Sequence, residues 1–250
     1  MEQFKQYAYY YNLFYKDKDY NGEALAVLDA LKKNGLAGDR IVSLGCGTGK
    51  HESVIGEQGY TVHGIDLSDD MIDIAKNNCS VSSVSFEVSD IRTYRTDKKF
   101  DAAISLFQVM SYQNSNDDIV NAFKTARSLL EEGGIFLFDV WYGPGVLTDN
   151  PVVRVKRLYD EETGSNVYKI AEPVMHDDTS LVDVCYEILV DDGVHPMTSF
   201  KETHVMRYYF RPEIEYFLKE AGFELIGNYS PDFGPAGYEC FTGYFIAKAI

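Results

Sequence analysis

The sequence has few cysteines, and nothing in their spacing suggests a disulfide or a metal site. The four cysteines among 250 residues, Cys46, Cys79, Cys185 and Cys240, are widely separated and form no C-x-x-C pair. Small secreted domains and zinc sites use closely spaced cysteines instead. No Asp/His cluster of the kind that holds a catalytic metal is visible either. We therefore predict a protein of a reducing compartment that binds no metal.

Basic residues are also scarce, with 23 Lys and Arg against 39 Asp and Glu and a formal net charge of −16. Nucleic-acid binding needs clustered Lys and Arg, and the chain has no basic run. It has no apolar stretch of about 18 residues that could span a membrane. Its polar, aromatic start lacks the charged-then-apolar pattern of a signal peptide. The sequence predicts a cytoplasmic protein with neither a nucleic-acid nor a membrane partner.

Short apolar runs alternate with helical patterns through residues 1–142. The predicted strands lie at 40–44, 60–65, 84–88, 100–107 and 134–141. Helical patterns at 49–58, 69–78 and 117–130 separate them. This alternation predicts an α/β fold, a Rossmann-like, doubly wound, mostly parallel sheet with right-handed crossovers.

The alternation of strands and helices stops after residue 142. Between 143 and 207 we identify no helix, but four strand-like runs at 152–159, 166–174, 181–190 and 198–209. Asp191-Asp192-Gly193 suits a hairpin turn, because glycine tolerates a positive φ. A helix at 212–221 and an antiparallel pair of strands at 223–229 and 241–248 end the chain. We predict a core of residues 1–142 and 208–250 with an N-terminal helical segment, and an antiparallel insertion at 143–207 covering the acceptor site.

A glycine-rich turn, Leu44-Gly45-Cys46-Gly47-Thr48-Gly49, follows the first strand and precedes a helix. Glycines there let the backbone bend sharply and approach a ligand closely. The chain has no G-x-x-x-x-G-K-[ST], so this is not a Walker-type phosphate loop. Asp66 ends the next strand, 21 positions after Gly45, where a carboxylate can accept hydrogen bonds from both ribose hydroxyls of an adenosine. Asp66 could instead cap the following helix, although Ser68 and Asp69 are better placed for that.

A further acidic residue follows the third strand. The side chain of Asp90 could accept a proton from an adenine amino group, while the N–H of Ile91 meets a ring nitrogen. The alternative is an ordinary loop aspartate. Both interpretations stay open from the residues alone.

Five motifs in order carry a resemblance to a known family: LGCGTG, GIDLS, SDI, FDAAISLFQVM and LLEEGGIFLFDVW. They resemble class I S-adenosylmethionine-dependent methyltransferases over about 40–141, and the segment from 210 onward does so more loosely. The resemblance implies S-adenosylmethionine as cofactor. It implies that the loop passes under the methionine part, that Asp66 holds the ribose, that Leu67 and Met71 flank the adenine, and that Phe107 lies near the methionine amino group. The loop residues concerned are Gly45, Cys46, Gly47 and Gly49.

A narrower resemblance lies in the start of the chain, YNLFYKDKDY, and in the β-rich insertion. Both are similar to small-molecule N-methyltransferases, above all those that dimethylate dTDP-linked amino sugars. This similarity implies that Tyr15 touches the cofactor and that Lys18 pairs with its carboxylate. It also implies a histidine after the fourth strand near the acceptor amine, a position that falls on Tyr112 here.

Methyl transfer from a sulfonium mainly requires that the protein align the acceptor and exclude water. An amine must arrive unprotonated, whereas a hydroxyl acceptor has more need of a general base. Tyr112, His204 and Arg207 are the candidates for the acceptor side. His204 and Arg207 lie three apart in a predicted strand, so they point to opposite faces unless a bulge intervenes. We expect His51 on a helix or at the surface and His63 in a structural role.

The leading hypothesis is an N-methyltransferase for a small amine such as a nucleotide-linked amino sugar. The alternatives are an O-methyltransferase for a sugar or other metabolite and a binding module of the same fold that has lost catalysis. The net charge of −16 argues against a nucleic-acid methyltransferase. Whether the protein is a monomer or a homodimer stays open.

Overall fold

A computed structural model describes residues 5–250 of the chain, with side chains from Tyr7 onward. The helices are α1 (Lys5–Phe14), α2 (Tyr20–Lys33), α3 (Lys50–Glu57), α4 (Asp69–Asn78), α5 (Asn116–Leu129), α6 (Gly143–Thr148) and α7 (Arg211–Glu220). The strands are β1 (Arg40–Leu44), β2 (Thr61–Asp66), β3 (Val84–Val88), β4 (Phe100–Ser105), β5 (Leu130–Tyr142), β6 (Arg154–Asp160), β7 (Ser165–His176), β8 (Leu181–Asp191), β9 (Thr198–Tyr209), β10 (Phe223–Tyr229) and β11 (Thr242–Ala249). A 3-10 helix, Val109–Tyr112, follows β4.

The core sheet has the strand order β3-β2-β1-β4-β5, and these five strands are parallel. β11 pairs antiparallel with β5, and β10 pairs antiparallel with β11. The parallel strands are mostly apolar because helices cover both faces of such a sheet. The predicted Rossmann-like sheet and the antiparallel final pair are confirmed.

Consecutive residues of a strand pack into two separate apolar layers, one on each face of the sheet. Val42 packs with Phe123 and Phe138 on the side of α5 and α7, whereas Ile41 packs with Leu31 on the side of α2 and α3. This follows from the alternation of side chains along a strand. Burying each of these side chains contributes about 1.5–3 kcal/mol relative to exposure, so the two layers hold the carboxyl ends of the strands rigidly in place.

β6 to β9 form an antiparallel meander, as predicted for the segment after the fifth strand. Its last strand, β9, runs beside the end of β5 in parallel, with Trp141 opposite Tyr208 and Tyr142 opposite Tyr209. In parallel α/β sheets, ligands bind at the carboxyl ends of the strands. The pairing therefore brings the antiparallel sheet to the edge where a ligand is expected.

One fold prediction is wrong: the segment after β5 does contain a helix, α6. Its six residues include two glycines and a proline, so no helical periodicity shows in the sequence. Pro144 sits in the first turn, where its missing N–H costs nothing. Val146 is fully buried. Tertiary packing, rather than helix propensity, fixes this turn.

In the described part of the chain, no helix is long and apolar enough to cross a membrane. Nor do residues 5–250 contain a group of three or more His, Cys, Asp or Glu side chains placed to bind a metal ion. The four cysteines are free thiols.

We expect Gly145→Ala to destabilise the fold. A Cβ at this position would lie 1.9 Å from the carbonyl oxygen of Cys240 and 2.7 Å from the backbone nitrogen of Phe241. Backbone atoms cannot rotate away, and overpacking of this kind costs about 1–3 kcal/mol. Chemical denaturation should show that loss, while Val194→Ala, at a side chain 81% exposed, should leave the free energy of unfolding almost unchanged. Equal stability of Gly145→Ala and the unaltered protein would contradict this account of α6.

Candidate active site

The glycine turn after β1 is tied to the end of β2 and leaves one side open. The N–H of Gly45 donates to the carbonyl oxygen of Ile65 at 2.8 Å. Gly45, Gly47 and Gly49 have φ values of 80°, 53° and 73°, in the left-handed region that favours glycine. A Cβ on Gly45 would lie 2.4 Å from Val109, whereas one on Gly47 would meet nothing within 4 Å. Gly47 thus borders open space that a ligand can enter.

Cys46 can offer a ligand only its backbone. Its side chain is buried with Ile72 and Phe86 beneath the turn. A Cβ added to Gly64 would lie 2.8 Å from the Cys46 sulfur, which shows how closely the thiol fills that space. Burial raises the pKa of the thiol well above its usual value. The thiol is therefore an apolar packing group.

Asp66 holds the turn from the neighbouring strand. Its Oδ2 accepts the N–H of Gly47 at 2.9 Å, and its Oδ1 accepts the N–H of Ser68 at 2.9 Å. Burial raises the pKa of Asp66. The two hydrogen bonds favour the ionised form and so act in the opposite direction, but burial is the larger effect. Each carboxylate oxygen has a second lone pair and can also accept a ribose hydroxyl. The cap of α4 is Ser68, whose hydroxyl accepts the N–H of Met71 at 3.3 Å, so Asp66 is not needed for that role.

The residues predicted around an adenine lie on the segments that follow β2 and β3. Leu67 is 51% exposed, although it is apolar, while Met71 and Ile91 are buried. Asp90 has a partner that the sequence analysis missed, because the Arg92 guanidinium donates to both of its oxygens, the shortest contact being 2.7 Å. That hydrogen-bonded pair lowers the pKa of Asp90. Asp90 as an adenine ligand stays a prediction, and it would have to share an oxygen with Arg92.

Three predicted cofactor residues meet after β4. The Tyr15 ring packs edge-on against Phe107, with centroids 4.9 Å apart. The Lys18 Nζ lies 4.5 Å from the centre of the Phe107 ring. Lys18 also forms an ion pair with Glu23, a partner that the sequence analysis did not foresee. The structure brings Tyr15, Lys18 and Phe107 together, but the lysine already has a carboxylate beside it.

Glu23 is the centre of a polar cluster behind Lys18. It accepts a hydrogen bond from the Tyr244 hydroxyl at 2.7 Å and lies 2.5 Å from His51 Nε2. Burial opposes ionisation of Glu23, but the bonds from His51, Lys18 and Tyr244 outweigh it and lower its pKa. His51 lies on α3, in agreement with the helix position that was one of the two expected, and it is buried. His63 bonds to Ser85 and Tyr94 as a structural residue.

The turn after β4 is strained. Phe107 and Gln108 have φ values of 67° and 62°, a conformation that costs roughly 1–3 kcal/mol for each non-glycine residue. Gln108 donates its backbone N–H to Asp139 Oδ1 at 2.9 Å and its side-chain amide to Oδ2 at 3.0 Å. Asp139 is fully buried, and burial raises its pKa to about 7. The one signal for this role was an acidic residue inside the apolar strand GIFLFDVW.

Two of the acceptor-side candidates are in contact. The Tyr112 hydroxyl lies 2.8 Å from His204 Nδ1, and His204 Nε2 lies 3.3 Å from Glu202 Oε2. The rings of Tyr7 and Tyr186 pack around His204, with centroids 5.0 and 4.9 Å away. Sequence reasoning missed Glu202, Tyr7 and Tyr186. No pattern pointed to them, because the contacts join α1, β8, β9 and the 3-10 helix.

Arg207 lies elsewhere, which corrects its prediction as an acceptor-side residue. The β8–β9 register runs without a shift from His204 to Arg207, so the two side chains take opposite faces of β9. The Arg207 guanidinium donates to Asn116 at 2.8 Å and to Glu213 at 3.0 Å. Arg207 therefore joins β9 to the first turns of α5 and α7.

A buried lysine fastens α1 to the antiparallel sheet. Lys169 on β7 donates to the Tyr7 hydroxyl at 2.5 Å. Its Nζ lies 4.1 Å from the centre of the Tyr186 ring, 4.8 Å from that of Phe14 and 5.2 Å from that of Tyr15. Burial lowers the pKa of Lys169 to about 7. Tyr15 also contacts Phe107. The aromatic rings around Lys169 therefore connect the antiparallel sheet to the turn after β4.

Comparisons with known proteins agree with this geometry. The sequence matches the methyltransferase domain family over residues 41–134. It is 26% identical over 236 residues to a dTDP-3-amino-3,4,6-trideoxy-alpha-D-glucopyranose N,N-dimethyltransferase of Streptomyces venezuelae, covering 93% of this chain and 95% of the relative. It is 24% identical to a dTDP-4-amino-2,3,4,6-tetradeoxy-D-glucose N,N-dimethyltransferase of Saccharopolyspora spinosa, covering 91% of this chain and 87% of that one.

The fold is similar to solved structures as well. An S-adenosylmethionine-dependent methyltransferase of Clostridium acetobutylicum superposes with a TM-score of 0.82 at 23% identity, covering 98% of both chains. The protein contains a methyltransferase domain, and its fold is Rossmann-like. The predicted resemblance to class I S-adenosylmethionine-dependent methyltransferases is thereby confirmed, and the comparisons agree with the predicted cofactor.

Asp139 should give the stability of the protein a measurable pH dependence. Its folded-state pKa of about 7 lies above its ordinary value of 3.8, so the folded protein holds a proton that the unfolded chain releases. The contribution of this group to stability is thus present at low pH and lost as the pH rises from about 4 to 7. Relative to the unaltered protein, Asp139→Asn should gain roughly 1 kcal/mol per pH unit between pH 5 and 7.

Urea denaturation across that pH range measures the difference. Asp73→Asn, on the exposed side of α4, serves as the control and should show no such slope. A flat difference between Asp139→Asn and the unaltered protein would contradict the buried, protonated state of Asp139.

Proposed function

We propose that the protein transfers the methyl group of S-adenosylmethionine to the amine of a nucleotide-linked amino sugar. One observation carries the proposal: the Asp66–Gly47 cradle follows β1 and β2, and Tyr112, in contact with His204, follows β4, so both lie at the carboxyl ends of the parallel strands. Similarity to the two amino-sugar dimethyltransferases spans more than nine tenths of this chain and so includes those strands. The substrate class is taken from that similarity.

The residues at the cradle fit S-adenosylmethionine. Open space beside Gly47 and a buried Asp66 carboxylate with spare lone pairs suit a ligand that carries a ribose. The exposed apolar Leu67 suits a flat base that would cover it. Met71, Ile91 and Asp90 complete the adenine side. When bound, the cofactor supplies a sulfonium methyl group with a good leaving group.

Tyr15, Phe107 and Lys18 form the other wall of the same proposed site. Aromatic side chains of α1 pack against Phe107 of the strained turn and against β7, β8 and β9. Such packing excludes water from the place where the acceptor would lie, which strengthens electrostatic interactions there. We therefore assign acceptor binding to the chamber beneath residues 143–207, with residues 1–142 and 208–250 as the cofactor-binding core.

An O-methyltransferase is the second candidate, and the Tyr112–His204 contact favours it. A hydroxyl acceptor needs a general base more than an amine does, and an imidazole 2.8 Å from a phenol is suited to that task. A binding module without catalysis would have no use for this pair. The free cysteines agree with the cytoplasmic location that we also propose.

Asp66→Ala should weaken cofactor binding. Loss of the carboxylate leaves the ribose hydroxyls and the Gly47 N–H without their partner, which costs about 1–3 kcal/mol. Isothermal titration calorimetry with S-adenosylmethionine and S-adenosylhomocysteine measures this effect. If the alanine variant unfolds, Asp66→Asn can replace it, because asparagine has nearly the shape of aspartate. Asp73→Ala is the matched control. Failure of the well-folded, unaltered protein to bind either ligand would sink the proposal.

The proposed class of methyl acceptor is tested in an assay with amino sugars linked to dTDP. Mass spectrometry should show up to two methyl groups added to the amine of a 3-amino or 4-amino sugar nucleotide. The matching sugar nucleotide with a hydroxyl in place of the amine should gain none. Methylation of the hydroxyl compound alone would replace the proposal with the O-methyltransferase.

A further inference from the structure

We propose that Lys50, rather than Lys18, is the cation that binds the carboxylate of the cofactor's methionine part. Lys18 instead holds Glu23 and packs against the turn after β4. This inference rests on the proposed function, because it assigns one end of the site to S-adenosylmethionine. It replaces the role of Lys18 that the resemblance implied.

Lys50 borders a cavity of about 530 Å³ that begins at the glycine turn. Thr48 of that turn lines the cavity, as do Lys50 at the start of α3 and Lys18 and Tyr20 at the entry to α2. The open space beside Gly47 comes directly before Thr48 in the chain. A ligand that follows the turn past Gly47 would therefore reach this cavity with its far end.

The Lys50 ammonium has no anionic partner in the part of the chain that the structure describes. Within residues 7–250 it forms no ion pair and no hydrogen bond, and its contact is the ring of Tyr20, whose centre lies 4.8 Å from Nζ. The acid among the described lining residues, Asp19, caps α2 by accepting the N–H of Gly22 at 2.8 Å. The cavity therefore offers a cation that an incoming anion can pair with.

The position of Lys50 makes an uncompensated positive charge unfavourable. Lys50 begins α3, and the N-terminus of a helix carries a partial positive charge. Burial lowers the pKa of Lys50, because the half-buried ammonium is poorly hydrated. The acid of the same helical turn, Glu52, is 1% exposed and bonds to Ser43 beneath the turn. A carboxylate bound in the cavity would offset the charge of the ammonium and of the helix end together.

Lys18 is less suited to the carboxylate, because its charge already has a partner. It forms an ion pair with Glu23, and the two side chains are only 19% and 21% exposed. A second carboxylate beside Lys18 would be repelled by Glu23, and this repulsion is strong between partly buried groups. Both lysines lie against the Tyr20 ring, with the Lys18 Nζ 5.3 Å from its centre. Only Lys50 of the two has no carboxylate beside it.

Decarboxylated S-adenosylmethionine tests the assignment directly, because it keeps the adenosine, the sulfonium and the ammonium and lacks only the carboxylate. Isothermal titration calorimetry measures the Kd of both ligands for the unaltered protein and for Lys50→Met. We expect Lys50→Met to weaken binding of S-adenosylmethionine about tenfold, as the loss of a hydrogen bond between charged groups does. Binding of the decarboxylated ligand should not weaken. Equal Kd values for S-adenosylmethionine in Lys50→Met and the unaltered protein would overturn the proposal.

Two further variants separate Lys50 from Lys18. Lys50→Arg keeps the positive charge and should keep most of the affinity for S-adenosylmethionine. Lys18→Met breaks the ion pair with Glu23 and disturbs the packing at Phe107, so it should weaken both ligands by similar factors. A loss in Lys18→Met that is confined to the ligand with the carboxylate, beside unchanged binding in Lys50→Met, would return the role to Lys18.

Lys76 supplies the matched control for the change in net charge. It is exposed in the last turn of α4 and is not among the described residues that line the cavity. Lys76→Met removes the same charge as Lys50→Met and should leave the Kd of both ligands unaltered. A tenfold loss of S-adenosylmethionine binding in Lys76→Met would show that net charge, rather than Lys50, sets the affinity.

The diphosphate of the acceptor is the competing occupant of a cavity with two lysines. If it bound there, Lys50→Met would raise the KM for a dTDP-linked amino sugar and leave the Kd of both cofactor ligands unchanged, against the proposal. Thermal melting followed by circular dichroism checks that Lys50→Met is folded, and Lys50→Gln takes its place if it is not. Failure of the proposed function is distinct, because the unaltered protein would then bind neither ligand.

Discussion

The candidate site depends on the hydrogen bonds between the buried carboxyl group of Asp139 and Gln108. They hold two consecutive non-glycine residues with positive φ, so β4 ends at Ser105 and the chain turns sharply. That turn presents Phe107 to Tyr15 and lets the 3-10 helix begin at Val109. The Phe107–Tyr15 contact and the start of the 3-10 helix therefore both rely on one contact, between the turn after β4 and strand β5. Because the carboxyl group is buried in the sheet, its partners cannot be exchanged for water.

A second constraint joins the parallel sheet to the antiparallel one. β9 pairs with only the last two residues of β5, so the two sheets need further contacts to hold their relative position. The aromatic side chains of α1 provide them, because Tyr11 packs against Phe107 while Tyr7 and Phe14 lie beside Lys169. Lys156 adds a bond from β6 to the carbonyl oxygen of Phe14 at the end of the helix. α1 is thus held from both sheets at once.

The sequence predicted the parts of the molecule that depend on local pattern. Strand and helix alternation, the glycine turn, Asp66 and the antiparallel strands after β5 all follow from spacing and residue type. The sequence could not reveal Lys169 or Glu202, whose partners lie on elements far away in the chain. Arg207 shows the limit of residue type, because only the register of β9 decides which of two polar side chains lies beside Tyr112. α6 was missed because packing, and not periodicity, fixes it.

The resemblance implied a histidine at the position of Tyr112, and the structure supplies the imidazole from β9 instead. The phenol at that position lies 2.8 Å from His204 Nδ1, so the antiparallel sheet contributes an imidazole and, through Glu202, a carboxylate to the surroundings of Tyr112. Changes in β8 or β9 would alter those surroundings, while the cradle of Gly47 and Asp66, built wholly on the parallel sheet, keeps its geometry.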